Sequence, residues 1–141
     1  MVINPSREPL FATLLTTAHA LQERLESALK PIGLSRAKME VLSQLAAAGE
    51  PLPLRMLAEG NSCVPSNMTT LVDRLESEGL VRRVHDPSDR RCVRAELTDL
   101  GADRAAAGSA AVARVQDEFN AILTAPERST LDQLLTTIRA G

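Results

Sequence analysis

The stretch that decides the fold runs PSNMTTLVDRLESEG (Pro65–Gly79), LVRRVH (Leu80–His85), DPSD (Asp86–Asp89) and RRCVRAEL (Arg90–Leu97). In its first part Met68, Leu71, Val72 and Leu75 recur at helical spacing. Pro65 suits a first helical turn, and Gly79 suits the position just past the end. After Gly79 the period changes from helix to strand. Leu80–His85 is followed by the turn-forming Asp86–Asp89, and Val93, Ala95 and Leu97 then alternate with Arg94 and Glu96. The pattern predicts a helix followed directly by a β-hairpin with an arginine-loaded tip.

Working toward the N-terminus, Pro53 suits the first turn of a short helix with Leu54, Leu57 and Ala58 inward and Gly60 at its end. Ser35 reads as an N-cap for a helix with Met39, Leu42, Leu45 and Ala46 on one face, stopped by Gly49. Before that, residues 7–30 form a helix with a heptad-like seam of Phe11 or Leu14, Ala18, Leu21, Leu25 and Ala28, ended by Pro31 and Gly33. Toward the C-terminus, Thr98 caps a long helix to about Leu123. Its middle, Ala105–Ala111, has almost no side-chain volume and so invites close approach by another helix. Pro126 opens a last helix with Leu131, Leu134, Leu135 and Ile138 at helical spacing.

Two short helices, a turn of about four residues and a hairpin make a winged helix-turn-helix. The fold class is therefore mainly α with a small β-hairpin wing. Residues 34–97 form the DNA-binding domain, and residues 1–33 and 98–141 the dimerisation helices. A winged helix-turn-helix does not need the terminal helices, so their apolar seams call for burial in a two-fold dimer. The second helix fits the major groove of duplex DNA, presenting Ser66, Asn67, Thr69, Thr70, Asp73 and, a turn later, Arg74. The hairpin tip carries Arg90 and Arg91 to the neighbouring minor groove, with Asp89 placed to orient a guanidinium.

Composition limits the alternatives. The chain has 141 residues, a formal charge of −2, two aromatic residues (Phe11 and Phe119) and no Tyr or Trp. Single-strand recognition by stacking lacks its platforms. No apolar run reaches membrane length and residues 1–30 lack a signal-peptide layout, so a cytoplasmic protein is expected. Cys63 and Cys92, with His19 and His85, stand at no metal-binding spacing, and neither a cofactor nor a catalytic pair is expected. The acidity also divides unevenly. Residues 96–141 hold four basic and seven acidic groups, whereas Arg82–Arg94 alone carries +3.

These residues resemble the MarR family of winged helix-turn-helix regulators. The resemblance rests on PSNMTTLVDRLESEGLV at Pro65–Val81, the wing DPSDRR at Asp86–Arg91 and the LT-x-x-G run at Leu97–Gly101. It implies a homodimer whose first and last two helices interlock, acting as a repressor at pseudo-palindromic operators and released by a small-molecule effector or by cysteine oxidation. It also implies base or backbone contacts from Ser66, Asn67, Thr69, Thr70 and Arg74, with Arg91 the minor-groove arginine, Arg90 beside it and Asp89 its orienting partner. Two departures stand out. Val64 replaces a frequent Ser or Thr cap, and Thr70 stands where Arg is common. His19 and Gln22 are the candidate polar points of an effector site. The competing readings are a winged-helix protein–protein module and a thiol-oxidation sensor acting through Cys63.

Overall fold

The computed structural model describes residues 9–60 and 65–141, with the side chains of Pro65 and Ser66 outside that description. Helix α1 (Pro9–Leu29) ends in a single 3₁₀ turn (Lys30–Ile32) and leads to α2 (Arg36–Ala48). Strand β1 (Leu52–Pro53), α3 (Leu54–Gly60) and α4 (Pro65–Ser77) follow, then the hairpin β2 (Val81–His85) and β3 (Val93–Leu97). Helices α5 (Asp99–Ile122) and α6 (Ala125–Ala140) complete the order.

The punctuation residues act as their chemistry dictates. The Ser35 hydroxyl accepts from Lys38 N–H at 3.1 Å and starts α2. Gly49 ends that helix at φ +67°, in the left-handed region that glycine enters without a Cβ penalty. The Thr124 hydroxyl and the Glu127 carboxylate exchange bonds with each other's backbone N–H groups, a reciprocal capping box at the start of α6.

One expectation needs correction. Pro53 does not open α3. It ends β1, a two-residue strand that pairs antiparallel with β3 through Leu52↔Ala95 and Pro53↔Arg94, giving the sheet order β1-β3-β2. Proline lacks a ladder donor, and β1 occupies the sheet edge where that lack is tolerated. The short strand pins the start of α3 beside the hairpin.

The core lies between α2, α3, α4 and the sheet, closed by the first half of α5. Leu42, Leu57, Met68, Val72, Leu75 and Leu80 are fully buried in it. The inward positions expected for α4 are as the spacing predicts, with Leu71 only half-buried. Helix α5 packs through a stripe of small residues, Gly101, Ala105, Gly108 and Ala111. A Cβ on Gly108 would lie 2.2 Å from Met39 Sδ, so the close-approaching partner is α2 of the same chain. A Cβ on Gly101 would lie 1.9 Å from the Leu80 carbonyl oxygen. The LT-x-x-G run thereby acquires a physical reason. The Thr98 hydroxyl donates to Gly79 O at 2.6 Å and accepts from Gly101 N–H at 3.0 Å, and only glycine fits where α5 starts against Leu80.

Candidate nucleic-acid interface

Helix α4 buries Met68, Val72 and Leu75 and exposes Asn67, Thr69, Thr70, Asp73 and Arg74, so those five predicted residues share the outer side of one helix. Ser66 belongs to its first turn, but its side chain lies outside the described residues, as do Cys63 and Val64. The helix terminates with Gly79 at φ +77° and Leu80 N–H bonded to Leu75 O at 2.9 Å.

The hairpin tip is built from its own side chains. Asp89 N–H donates to Asp86 O (3.3 Å), Cys92 N–H to Asp89 O (3.0 Å), and Asp86 N–H to Cys92 O (3.1 Å), folding residues 86–92 into two successive turns. Asp86 accepts from the Ser88 hydroxyl (2.7 Å), the Ser88 N–H (2.9 Å) and Arg94 Nη2 (2.7 Å). The two Ser88 bonds are the main cause holding its carboxyl below the usual carboxylate range; burial opposes them in part, and Arg94 adds smaller contributions in the same direction as Ser88. Asp89 accepts from the backbone N–H of Arg91 at 3.0 Å. It therefore shapes the turn that displays Arg91, and among the described residues it pairs with no guanidinium.

The arginines of the hairpin divide into two groups. Arg82 Nε pairs with Glu96 Oε2 at 2.9 Å across the ladder, Arg83 with Asp73 and Glu76 on α4, and Arg94 with Asp86. The local charge of +3 read from the sequence counted only Asp86 and Asp89 as offsets. Folding brings Asp73, Glu76 and Glu96 to the same arginines. Among the described residues Arg90 and Arg91 at the tip and Arg74 on α4 have no carboxylate partner, and all three are exposed.

Another exposed arginine, Arg55, went unnoticed in the sequence. It stands in the first turn of α3 and lines, with Arg91, Cys92 and Arg94, an open cleft of about 580 Å³ at the wing base. Its only sequence signal is a lone basic residue on a short helix. What brings it to the wing is the β1–β3 pairing. Cys92 is a half-buried free thiol there.

A second groove, of about 750 Å³, opens between α1, α2 and α5. Leu25, Leu29, Met39 and Val112 supply its apolar wall, Ser43, Gln44, Ser109 and Gln116 its neutral polar points, and Arg36 and Glu40 its charges. His19 and Gln22 do not line it. His19 Nε2 lies 3.1 Å from Glu23 Oε1 on the exposed side of α1, and Gln22 is also exposed. Among the described residues no helix is long and apolar enough to cross a membrane, and no three His, Cys, Asp or Glu gather as a metal site.

Comparison with known proteins agrees with this geometry. The model of the MarR family matches residues 34–93, from the end of the 3₁₀ turn to β3. The chain is 39% identical over 79 residues to the HTH-type transcriptional repressor MdtR of Bacillus subtilis (strain 168), covering 56% of this chain and 50% of the relative. The chain thus spans about half the length of the first curated relatives it matches. Whole-chain likeness is found among solved structures. A mutant of MarR from E. coli, complexed with operator DNA, superposes with a TM-score of 0.83 at 27% identity, covering 98% of this chain and 99% of that one. CouR from Rhodococcus jostii RHA1, bound to p-coumaroyl-CoA, superposes with a TM-score of 0.78 at 26% identity, covering 94% and 91%. The match over residues 34–93 and the superposition of the whole chain on MarR of E. coli make this chain similar to the MarR family in its helix-turn-helix, its wing and the order of helices on both sides.

Proposed function

We propose that the protein is a homodimeric, sequence-specific, double-stranded DNA-binding transcriptional regulator of the cytoplasm, a repressor of pseudo-palindromic operators relieved by a small-molecule effector. The observation that carries the reading is the pair of unpartnered guanidiniums at the wing tip, Arg90 and Arg91, beside a helix whose exposed side is Asn67, Thr69, Thr70 and Arg74. Amide and hydroxyl groups suit base edges in the major groove, and free arginines suit the narrow minor groove next to it. DNA in the complex of the E. coli relative supports the same partner.

Dimerisation is supported by apolar surface that the chain does not cover. Leu10 and Phe11 on α1, Ile122 on α5, and Leu134 and Ile138 on α6 are all exposed, and α6 buries none of its residues. The proposed division assigns residues 1–33 and 98–141 to the dimer and residues 34–97 to DNA. The effector is proposed to enter the groove between α1, α2 and α5, where the dimerisation and DNA-binding parts meet. The bound p-coumaroyl-CoA of CouR supports a small-molecule effector for this chain too. The wall has no aromatic residue, which favours an aliphatic ligand with hydrogen-bonding groups.

The test is selection from a random-sequence duplex pool, followed by fluorescence anisotropy on the selected site. Two half-sites about 10 bp apart are expected. Arg91→Ala is expected to weaken that binding by about 1–3 kcal/mol without changing the sedimentation of the free protein. Failure of the parent protein to retain any duplex at low salt overturns the reading.

A further inference from the structure

Arg82 and Arg83 are neighbours on β2 and point to opposite faces of the sheet. Arg82 reaches along the sheet to Glu96, the residue directly opposite it on β3. Arg83 turns toward α4, half-buried, and its guanidinium meets both Asp73 and Glu76. Nη1 is 3.0 Å from Glu76 Oε1, and Nη2 is 3.4 Å from the Thr69 carbonyl oxygen. Its backbone N–H donates to Glu76 Oε2 at 2.9 Å. One residue of the hairpin therefore grips the helix over the two turns from Thr69 to Glu76.

Asp73 gives the grip a chemical meaning. It lies three and four residues beyond Thr70 and Thr69, on the same exposed side of α4, and its side chain is 59% exposed. A bare carboxylate at that place faces the phosphates of any duplex whose groove admits the helix, and like charges repel. Arg83 supplies the compensating charge from the wing side of Asp73. Helix and wing must also enter adjacent grooves at one fixed separation, and Arg83 bonds them together.

We propose that Arg83 is a positioning residue for DNA recognition, which neutralises Asp73 and locks α4 to the wing so that both engage one duplex as a single rigid reader. The inference rests on the DNA-binding reading above and adds to it a residue that touches no nucleotide. It also assigns Asp73 a role distinct from that of its polar neighbours: a charge that must be held in check.

The experiment uses the full chain and the duplex selected from the random pool. Arg83→Met keeps an unbranched side chain and leaves the Glu76 bond to the backbone N–H in place. It is expected to weaken binding at least tenfold at low salt. The deficit should shrink as salt screens the exposed charge. Adding Asp73→Asn to Arg83→Met is expected to recover most of the loss, a rescue that a purely structural role for Arg83 would not produce. Arg83→Lys, which retains a cation near Asp73, should fall between parent and Arg83→Met and keeps the test open if the methionine variant does not fold. Parental affinity in both Arg83 variants overturns the inference, as does a loss in Arg83→Met that Asp73→Asn leaves unrepaired. A parent that binds no duplex overturns the DNA reading itself, so the two failures are distinguishable.

Discussion

The helix-turn-helix and the terminal helices satisfy their apolar residues in opposite ways. Among the described residues between Leu34 and Leu97, the large apolar side chains other than Met56 are buried or half-buried within the chain, and Val41, Leu42, Leu57, Val72, Leu75 and Leu80 are inaccessible to solvent. In the terminal helices Leu10 is 82% exposed, Phe11 65% and Ile138 59%. Helix α5 belongs to both regions. Its first half is set against α2 and Leu80 by Gly101 and Gly108, whereas its last turn exposes Ile122. The contrast separates two sources of order. One region is held by its own core, and the other carries a seam that needs a second surface, in accordance with the proposed dimer.

The largest effect is expected where the contrast is sharpest. Replacing Leu134 and Ile138 together by Glu removes two apolar side chains from the proposed subunit interface. At about 1.5–3 kcal/mol per buried side chain, dimer dissociation should become easier by about 3–6 kcal/mol, measured by sedimentation equilibrium. Thermal melting of the helix-turn-helix should change far less. An unaltered dimer would remove α6 from the interface.

A smaller effect tests the opposite region. Gly101→Ala sets a methyl against the backbone oxygen of Leu80, which has no rotamer to escape into. Overpacking of this kind costs about 1–3 kcal/mol, read as a lower midpoint in urea. Gly108→Ala meets the flexible end of Met39 and should cost less. Equal costs at the two positions would mean that the start of α5 yields as readily as a methionine side chain.

The smallest effect is local to the wing. The Asp86 carboxyl titrates below its ordinary value of 3.8 in the folded chain, through Ser88 first and Arg94 after it. Its contribution to wing order is therefore fully present above about pH 4 and disappears as the pH falls through the lowered folded value. Protection of the Ser88 and Cys92 amides, measured as exchange relative to the intrinsic rate at each pH from 5 to 2, should fall in that window, whereas Asp86→Asn should show little protection throughout. A profile flat to pH 2 in the parent would deny Asp86 its place in the turn.

The fold was readable wherever a residue's local chemistry determines its geometry. The caps Ser35 and Thr98, the inward spacing of Met68, Val72 and Leu75, and the change of period after Gly79 all behave as local physics requires. Strand β1 was not readable, because two residues carry no period and Pro53 suits a helix start equally well. The candidate site was half readable for a related reason. Which residues lie outward on α4 follows from helical spacing. Which arginines remain unpartnered depends on Asp73, Glu76 and Glu96, which become neighbours of Arg83 and Arg82 only after the chain has folded. Arg55 was missed on the same account, since its nearness to Arg91 is a product of the β1–β3 pairing. The stripe of small residues on α5 announced a close neighbour without saying which helix it was.

The internal pairing of Arg82, Arg83 and Arg94 also bears on how quickly such a protein finds its target. Sequence-independent attraction to DNA grows with the number of phosphates a protein neutralises. Three of the five arginines between Arg82 and Arg94 are already committed to carboxylates of their own chain. On the proposed reading, a misplaced encounter offers the wing little beyond Arg90 and Arg91 to hold it. Residence on a wrong sequence is then brief.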